Sequence, residues 1–257
     1  MSVDGFTDAQ LASFTALSDV MCAGYHAAVS AGVKQGDTVA VVGDGAVGLS
    51  AVLAAKLLGA GRIIALSRHT DRQAKEFGAT DIVTECGDEA VTAVLRLTDG
   101  AGVDAALECV GTDQPIETAA GIVRASGMIG AVGVPLYEKF EYKTLFGNKG
   151  GVAPARHYIP ELLQHVLDRT INLGRVFDHS TDLDHVADAY AAMDEVRAIK
   201  SLLTVSSTTV LPAPAVWCVA HQADGLFPLG EEGPSRVPAH RPASPNATRR
   251  RQRRCPR

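Results

Sequence analysis

Three glycines, Gly43, Gly45 and Gly48, stand in the order G-x-G-x-x-G, with Ala46 and Val47 between the second and third. A short β-branched run, TVAVV from Thr38, precedes them, and an apolar stretch from Ala46 to Leu58 follows. In that context each glycine has a separate role. The first permits a tight turn, the second lets the backbone approach a pyrophosphate, and the third lets a helix pack closely on the strand. The free N–H groups and dipole of the helix N-terminus then face an anion. The chemistry this predicts is dinucleotide binding; the plain alternative is a glycine turn with no ligand. No Lys-Ser/Thr pair follows the loop, so it is not a triphosphate loop, and no G-x-S-x-G elbow supports a hydrolase.

The second strand, RIIAL from Arg62, ends in Ser67, Arg68 and His69. A carboxylate at such a tip, about 20 residues beyond the loop, would hold the ribose hydroxyls of NAD. Serine and arginine would instead hold the 2′-phosphate of NADP through charge-assisted hydrogen bonds. The expectation is therefore NADP in preference to NAD, against the alternative that Arg68 is a solvated surface charge.

The elements that must position these residues alternate strictly. Strands are predicted at TVAVVG, RIIAL, DIVT, GVDAALECVG and GMIGAVGV; helices fall at Ala46–Leu58, Asp71–Phe77, Glu89–Leu97 and Pro115–Val123. Such alternation implies an α/β fold with a doubly wound parallel sheet, the Rossmann arrangement. Apolar residues at helical spacing predict a further helix over Leu17–Val33, with Ser18-Asp19 as capping groups. Two more helices are expected at RHYIPELLQHVLDRT and DLDHVADAYAAMDEVR, and a last strand at AIKSLLTV.

Composition marks a boundary near Val205. Residues 206–257 hold eight arginines against three acids, eight of the twelve prolines and no lysine, whereas residues 1–205 carry 16 basic and 26 acidic residues. The expected organisation is an N-terminal helical segment over 1–32, an NAD(P)-binding domain over 33–205, and a disordered Pro/Arg-rich tail over 206–257. The terminal RRRQRR has no aromatic interleaving, so no nucleic-acid partner is expected. Five cysteines without C-x-x-C spacing indicate neither a zinc knuckle nor a disulfide framework. The polar N-terminus and the lack of a long apolar run predict a cytoplasmic protein with no membrane span.

The run LSDVMCAGYHAAVSAGVKQGDTVAVVGDGAVGLSAVLAAKLLGAGRIIALSRH resembles the zinc-dependent alcohol dehydrogenases of the medium-chain dehydrogenase/reductase superfamily. EFGATDIV, TDGAGVDAALECVG and GGVAPARHYIPELL share the resemblance, which covers residues 15–205. It implies reversible hydride transfer between an alcohol and an aldehyde or ketone, in an enzyme whose chaperonin-10-like catalytic domain holds most of the zinc ligands. It places the dinucleotide loop on Gly43, Gly45 and Gly48, and the 2′-phosphate readers on Ser67 and Arg68. The nicotinamide-side loops fall on Val110-Gly111-Thr112 and on Gly133-Val134. One zinc position falls on Asp19, which alternatively serves as a helix cap.

Several features depart from the family pattern. The catalytic-domain ligands are absent from this sequence, and the helix after the second strand is short. LFGNKGGVAP lacks apolar residues of a sixth strand, Ala23 replaces the usual threonine, and an unrelated tail follows SLLTV. The chain is thus expected to be a truncated enzyme that binds cofactor with little or no catalysis and no zinc of its own, alone, as a homo-oligomer or beside a separate catalytic domain. The alternative is a non-catalytic dinucleotide-binding module that acts through a partner protein. His179, Asp182, Asp184 and His185 are metal-binding types without a closed ligand set, and His26 is expected to be a packed helix histidine.

Overall fold

A computed structural model of the chain describes residues 5–67, 71–134, 136, 148–150, 153–205 and 216–219. Strand β1 is Thr38–Val42, β2 Arg62–Leu66, β3 Asp81–Val83, β4 Val103–Glu108, β5 Val123–Ala131 and β6 Asn148–Gly150. They form one sheet in the order β3-β2-β1-β4-β5-β6, each neighbouring pair parallel. This is the doubly wound topology that strict strand–helix alternation predicts.

The strands are apolar at nearly every position because both faces are covered. Val39 and Val41, Ile63 and Ala65, and Ala105 and Leu107 enter one core cluster. The alternate residues Ala40 and Val42, Ile64 and Leu66, and Ala106 enter a second. Side chains alternate across a strand, so a run buried on both sides cannot show a polar period of two. The first core packs against α3 (Ala46–Leu57) and α7 (Ala155–Leu167), the second against α5 (Gly87–Leu97) and α6 (Asp113–Ile122). The remaining crossover helix is α4, Asp71–Phe77.

The N-terminal helical segment belongs to the first core. Helix α1 spans Asp8–Ala16, a π-helical turn covers Leu17–Met21, and α2 runs on over Cys22–Ser30. Leu17, Val20, Met21, Ala27 and Ala28 are all buried there. The helix starts at Asp8, well before the expected Leu17, at a capping box in which Thr7 and Gln10 exchange hydrogen bonds. Its first turns carry few large apolar residues, which hides the period. Ser18 and Asp19 therefore do not cap a helix; they lie inside it.

Three other boundaries move. Strand β5 starts at Val123 and ends at Ala131, with a register shift against β4 between Val103 and Ala105 and Ser126 at a φ of 65°. The sixth strand, expected to be depleted, persists over three residues paired with Ile129–Ala131. His179–Asp182, read as the approach to a helix, is a strand, β7, parallel to β8 (Ser201–Val205); α8 begins only at Val186 and ends at Asp194. A four-residue strand β9, Val216–Val219, pairs antiparallel with β8 from within the tail segment.

Arg62 ties β2 to β3 by a two-pronged contact with Asp81, Nε and Nη2 each 2.8 Å from a carboxylate oxygen. That hydrogen bonding holds the Asp81 carboxyl down at about 2. A depressed carboxyl stabilises the fold above its unfolded value near 4 and loses that contribution as pH falls towards 2. The pair is partly exposed, so solvent screening reduces its worth to about 1 kcal/mol. Asp81→Asn is expected to lower urea-unfolding stability by about that amount at pH 7, with the gap to wild type closing by pH 2.

Candidate functional site

The turn from β1 into α3 is built on three glycines that act differently. Gly43 has a φ of 118°, which L side chains rarely adopt, and a Cβ there would stand 2.8 Å from Val110 Cγ2. A Cβ on Gly48 would stand 2.0 Å from the carbonyl oxygen of Gly43, so only glycine lets the helix start this close to the strand. Gly45 is the opposite case: nothing lies within 4 Å of its Cβ position. It is the N-cap of α3, and no side chain caps that helix. A helix of 12 residues thus presents uncapped N–H groups, flanked by Ala46 and Val47, to open space. Unsatisfied donors and the positive end of the dipole make such a terminus a seat for an anion.

At the tip of β2, Ser67 is buried at 2% exposure; its N–H donates to Val83 and its hydroxyl to Asp44 Oδ2 at 3.3 Å. The strand itself ends without a carboxylate, as expected. The G-D-G turn nevertheless carries the Asp44 carboxylate across from β1 to the same place, which sequence order did not reveal. Arg68 lies outside the described residues.

The next two strands end in a linked pair of loops. Cys109 N–H continues the sheet by donating to Val42, and the chain then turns through Val110 and Gly111. Both of those N–H groups donate to one oxygen, Glu108 Oε1, at 2.7 Å each. The Glu108 carbonyl in turn accepts from Val132 and Gly133. A Cβ on Gly133 would stand 2.2 Å from Gly111 N, so the β4 and β5 loops touch through backbone. Val110 and Val134 face outward, 42% and 70% exposed. Burial, and after it the Glu108 carboxylate, pushes the Cys109 thiol up. Glu108 went unnoticed in the sequence, although an acid directly after the apolar residues Ala105–Leu107 was a signal.

All these loops leave the carboxyl ends of β1, β2, β4 and β5. The strand order reverses between β1 and β4, and that switch point opens the crevice in which such sheets bind ligands. Gly43, Gly45, Gly48, Ser67, Val110, Gly111, Gly133 and Val134 are thereby brought to one edge of the sheet.

Asp19 is not part of that edge cluster. It lies in the π-helical turn with its carboxylate 3.3 Å from Lys200 Nζ. Lys200 is only 4% exposed; burial lowers its pKa, and Asp19 opposes the shift. His185 bonds Asp182 at 2.6 Å, while His179 bonds Ser201 instead. His26 contacts the Tyr158 hydroxyl at 2.9 Å, as a packed helix histidine. Among the described residues no three His, Cys, Asp or Glu side chains converge on a common point, and a zinc site needs three or more protein ligands. The described donor set therefore does not fit zinc. A cavity of about 290 Å³ opens elsewhere, between Phe6, Phe14, Leu17, Ile159 and Leu163, but its only polar lining residue is Ser18.

Gly48→Ala and Gly45→Ala are expected to separate packing from ligand space. The first should lower unfolding stability by about 2 kcal/mol, because backbone must shift to admit the methyl group. The second should stay within about 0.5 kcal/mol of wild type, since its Cβ meets nothing. Urea denaturation of both variants checks this.

Residues 46–152 match the family model described as zinc-binding dehydrogenase. An NADP-dependent isopropanol dehydrogenase of Clostridium beijerinckii is 31% identical over 204 residues, covering 73% of this chain and 57% of that protein. Its counterpart from Thermoanaerobacter brockii is 35% identical over 195 residues, covering 70% of this chain and 54% of that protein. Among solved structures, the alcohol dehydrogenase TADH from Thermus sp. ATN1 superposes with a TM-score of 0.65 at 29% identity, over 73% of this chain and 57% of that one. The benzyl alcohol dehydrogenase of Acinetobacter calcoaceticus superposes with a TM-score of 0.66 at 25% identity, over 80% and 59%. The chain spans about half the length of the curated relatives it matches.

Proposed function

The chain belongs to the zinc-type alcohol dehydrogenases of the medium-chain dehydrogenase/reductase superfamily, of which it carries the nucleotide-binding part, and on that premise we propose that it binds a nicotinamide dinucleotide, NADP in preference to NAD. The observation that carries this reading is the uncapped N-terminus of α3 beside the open Gly45. In the proposed complex the pyrophosphate lies on Gly45, Ala46 and Val47, against N–H groups that lack a side-chain cap. Gly43 and Gly48 keep strand and helix close enough to form that seat. Ser67 and Arg68 hold the 2′-phosphate, the Ser67 hydroxyl turning its proton to the phosphate from Asp44 Oδ2, to which it donates in the free chain. The nicotinamide lies against Val110-Gly111 and Gly133-Val134.

The proposed reaction class is reversible hydride transfer between an alcohol and the nicotinamide. The described residues supply cofactor binding and orientation, and no described cluster supplies the donors for a Lewis-acid metal at the alcohol oxygen. The chain by itself is therefore proposed to bind cofactor with little or no turnover, and turnover requires a catalytic domain. No described helix is long and apolar enough to cross a membrane, and a cytoplasmic setting belongs to the same proposal. A second reading, a dinucleotide-binding module acting through a partner protein, draws on the apolar cavity beside Phe14 and Leu17. Recovery of a stoichiometric partner in a pull-down favours the second reading; zinc content and alcohol-dependent NADPH formation on mixing with a separate catalytic domain favour the first.

Fluorescence titration of the purified chain with NADPH and with NADH tests the proposal. Saturable binding is expected, tighter for NADPH by about tenfold, the worth of one charge-assisted contact set at the 2′-phosphate. Arg68→Ala should remove that preference while leaving NADH affinity within about twofold. Binding of neither dinucleotide by a folded chain would overturn the reading.

A further inference from the structure

Glu108 is wholly buried, at 0% exposure, as the last residue of β4. It pairs in register with Val42 of β1 on one side and Ala131 of β5 on the other, so it stands at the switch point of the sheet, directly under the crevice. Its Oε1 takes two N–H donors at 2.7 Å from Val110 and Gly111. Short paired N–H contacts of this kind favour the ionised carboxylate. The same residue's carbonyl holds the Val132 and Gly133 N–H groups. The Glu108 carboxyl group thus holds the β4 loop and its main-chain carbonyl the β5 loop, the two loops that would enclose the nicotinamide.

We infer that Glu108 is a positioning residue that also acts electrostatically. It shapes the nicotinamide loops and, as a fixed negative charge beneath them, favours the oxidised cofactor. The inference rests on the dinucleotide reading above. The nicotinamide ring of NADP⁺ carries one positive charge and becomes neutral on accepting a hydride. A buried carboxylate beside it therefore stabilises the oxidised form selectively, and the low local dielectric strengthens the effect. A residue that merely braced the loops would treat the two redox states alike.

The test uses the full chain and two variants. Glu108→Gln keeps an acceptor oxygen for Val110 and Gly111 but removes the charge; Glu108→Ala removes both. Dissociation constants for NADPH come from fluorescence titration and those for NADP⁺ from displacement of bound NADPH. The Gln variant is expected to weaken NADP⁺ on the order of tenfold relative to NADPH, and the Ala variant to weaken both. An unchanged NADP⁺ to NADPH ratio in a folded Gln variant overturns the inference while leaving the dinucleotide reading intact. Wild-type protein that binds neither cofactor overturns the reading itself. Should the Gln variant not fold, the wild-type Glu108 side-chain carboxyl, followed by ¹³C NMR, decides. The inference expects an ionised group at neutral pH that shifts more with NADP⁺ than with NADPH, and a protonated or indifferent group refutes it.

Discussion

The approach of α3 to the end of β1 is the contact on which the rest of the site depends. Gly48 stands so near the Gly43 carbonyl that a single methyl group would collide with backbone. Because the helix begins there, its first N–H groups open into the crevice instead of being taken up by a longer loop. Any side chain at Gly48 would push the helix outward and pull the donors away from the other strand ends. The Val110 side chain, packed against Gly43, then sets how far the β4 loop lies from the glycine turn.

A second layer of organisation comes from hydrogen bonds that cross between strand ends. Glu108 collects N–H groups from two loops, and Asp44 collects the Ser67 hydroxyl across the β1–β2 gap. Both are carboxylates at the carboxyl edge of a parallel sheet, yet their settings differ. Glu108 is sealed in the sheet and surrounded by backbone donors, whereas Asp44 is half-buried on a turn. Buried polar groups hold their geometry because an unmade hydrogen bond in the interior costs about 1–3 kcal/mol. The loops around Glu108 are accordingly fixed in shape before any ligand arrives.

The N-terminal helical segment has a comparable bearing on the site. It is not an appendage: Met21, Ala27 and Ala28 are as buried as the strands they cover. Its π-helical turn places Asp19 against the buried ammonium of Lys200, just ahead of β8. A buried cation without such a partner would be strongly unfavourable, so the pair fixes how this helix and β8 meet. That contact also explains why Asp19 neither caps a helix nor stands free for other chemistry.

Most of the parallel sheet could be read directly from residue order. TVAVV, RIIAL and VDAALE are short apolar runs between turn residues, and burial on both faces leaves little room for another reading. The glycine spacing likewise revealed the tight turn at Gly43 and the close packing at Gly48, since both follow from the absence of a side chain. Weakly patterned elements were harder: Asp8–Ala16 has only Leu11 and Phe14 as large apolar residues, and HSTD alternates without a hydrophobic face. What the sequence by itself determined was local: period, turn chemistry, and a helix N-terminus able to receive an anion. What only the tertiary structure decided was which distant groups share a strand end. Glu108 with Gly133, Asp44 with Ser67 and Asp19 with Lys200 meet through strand order and register. Those are long-range properties that no local pattern of residues encodes, because pairing between strands is set by how the whole core closes.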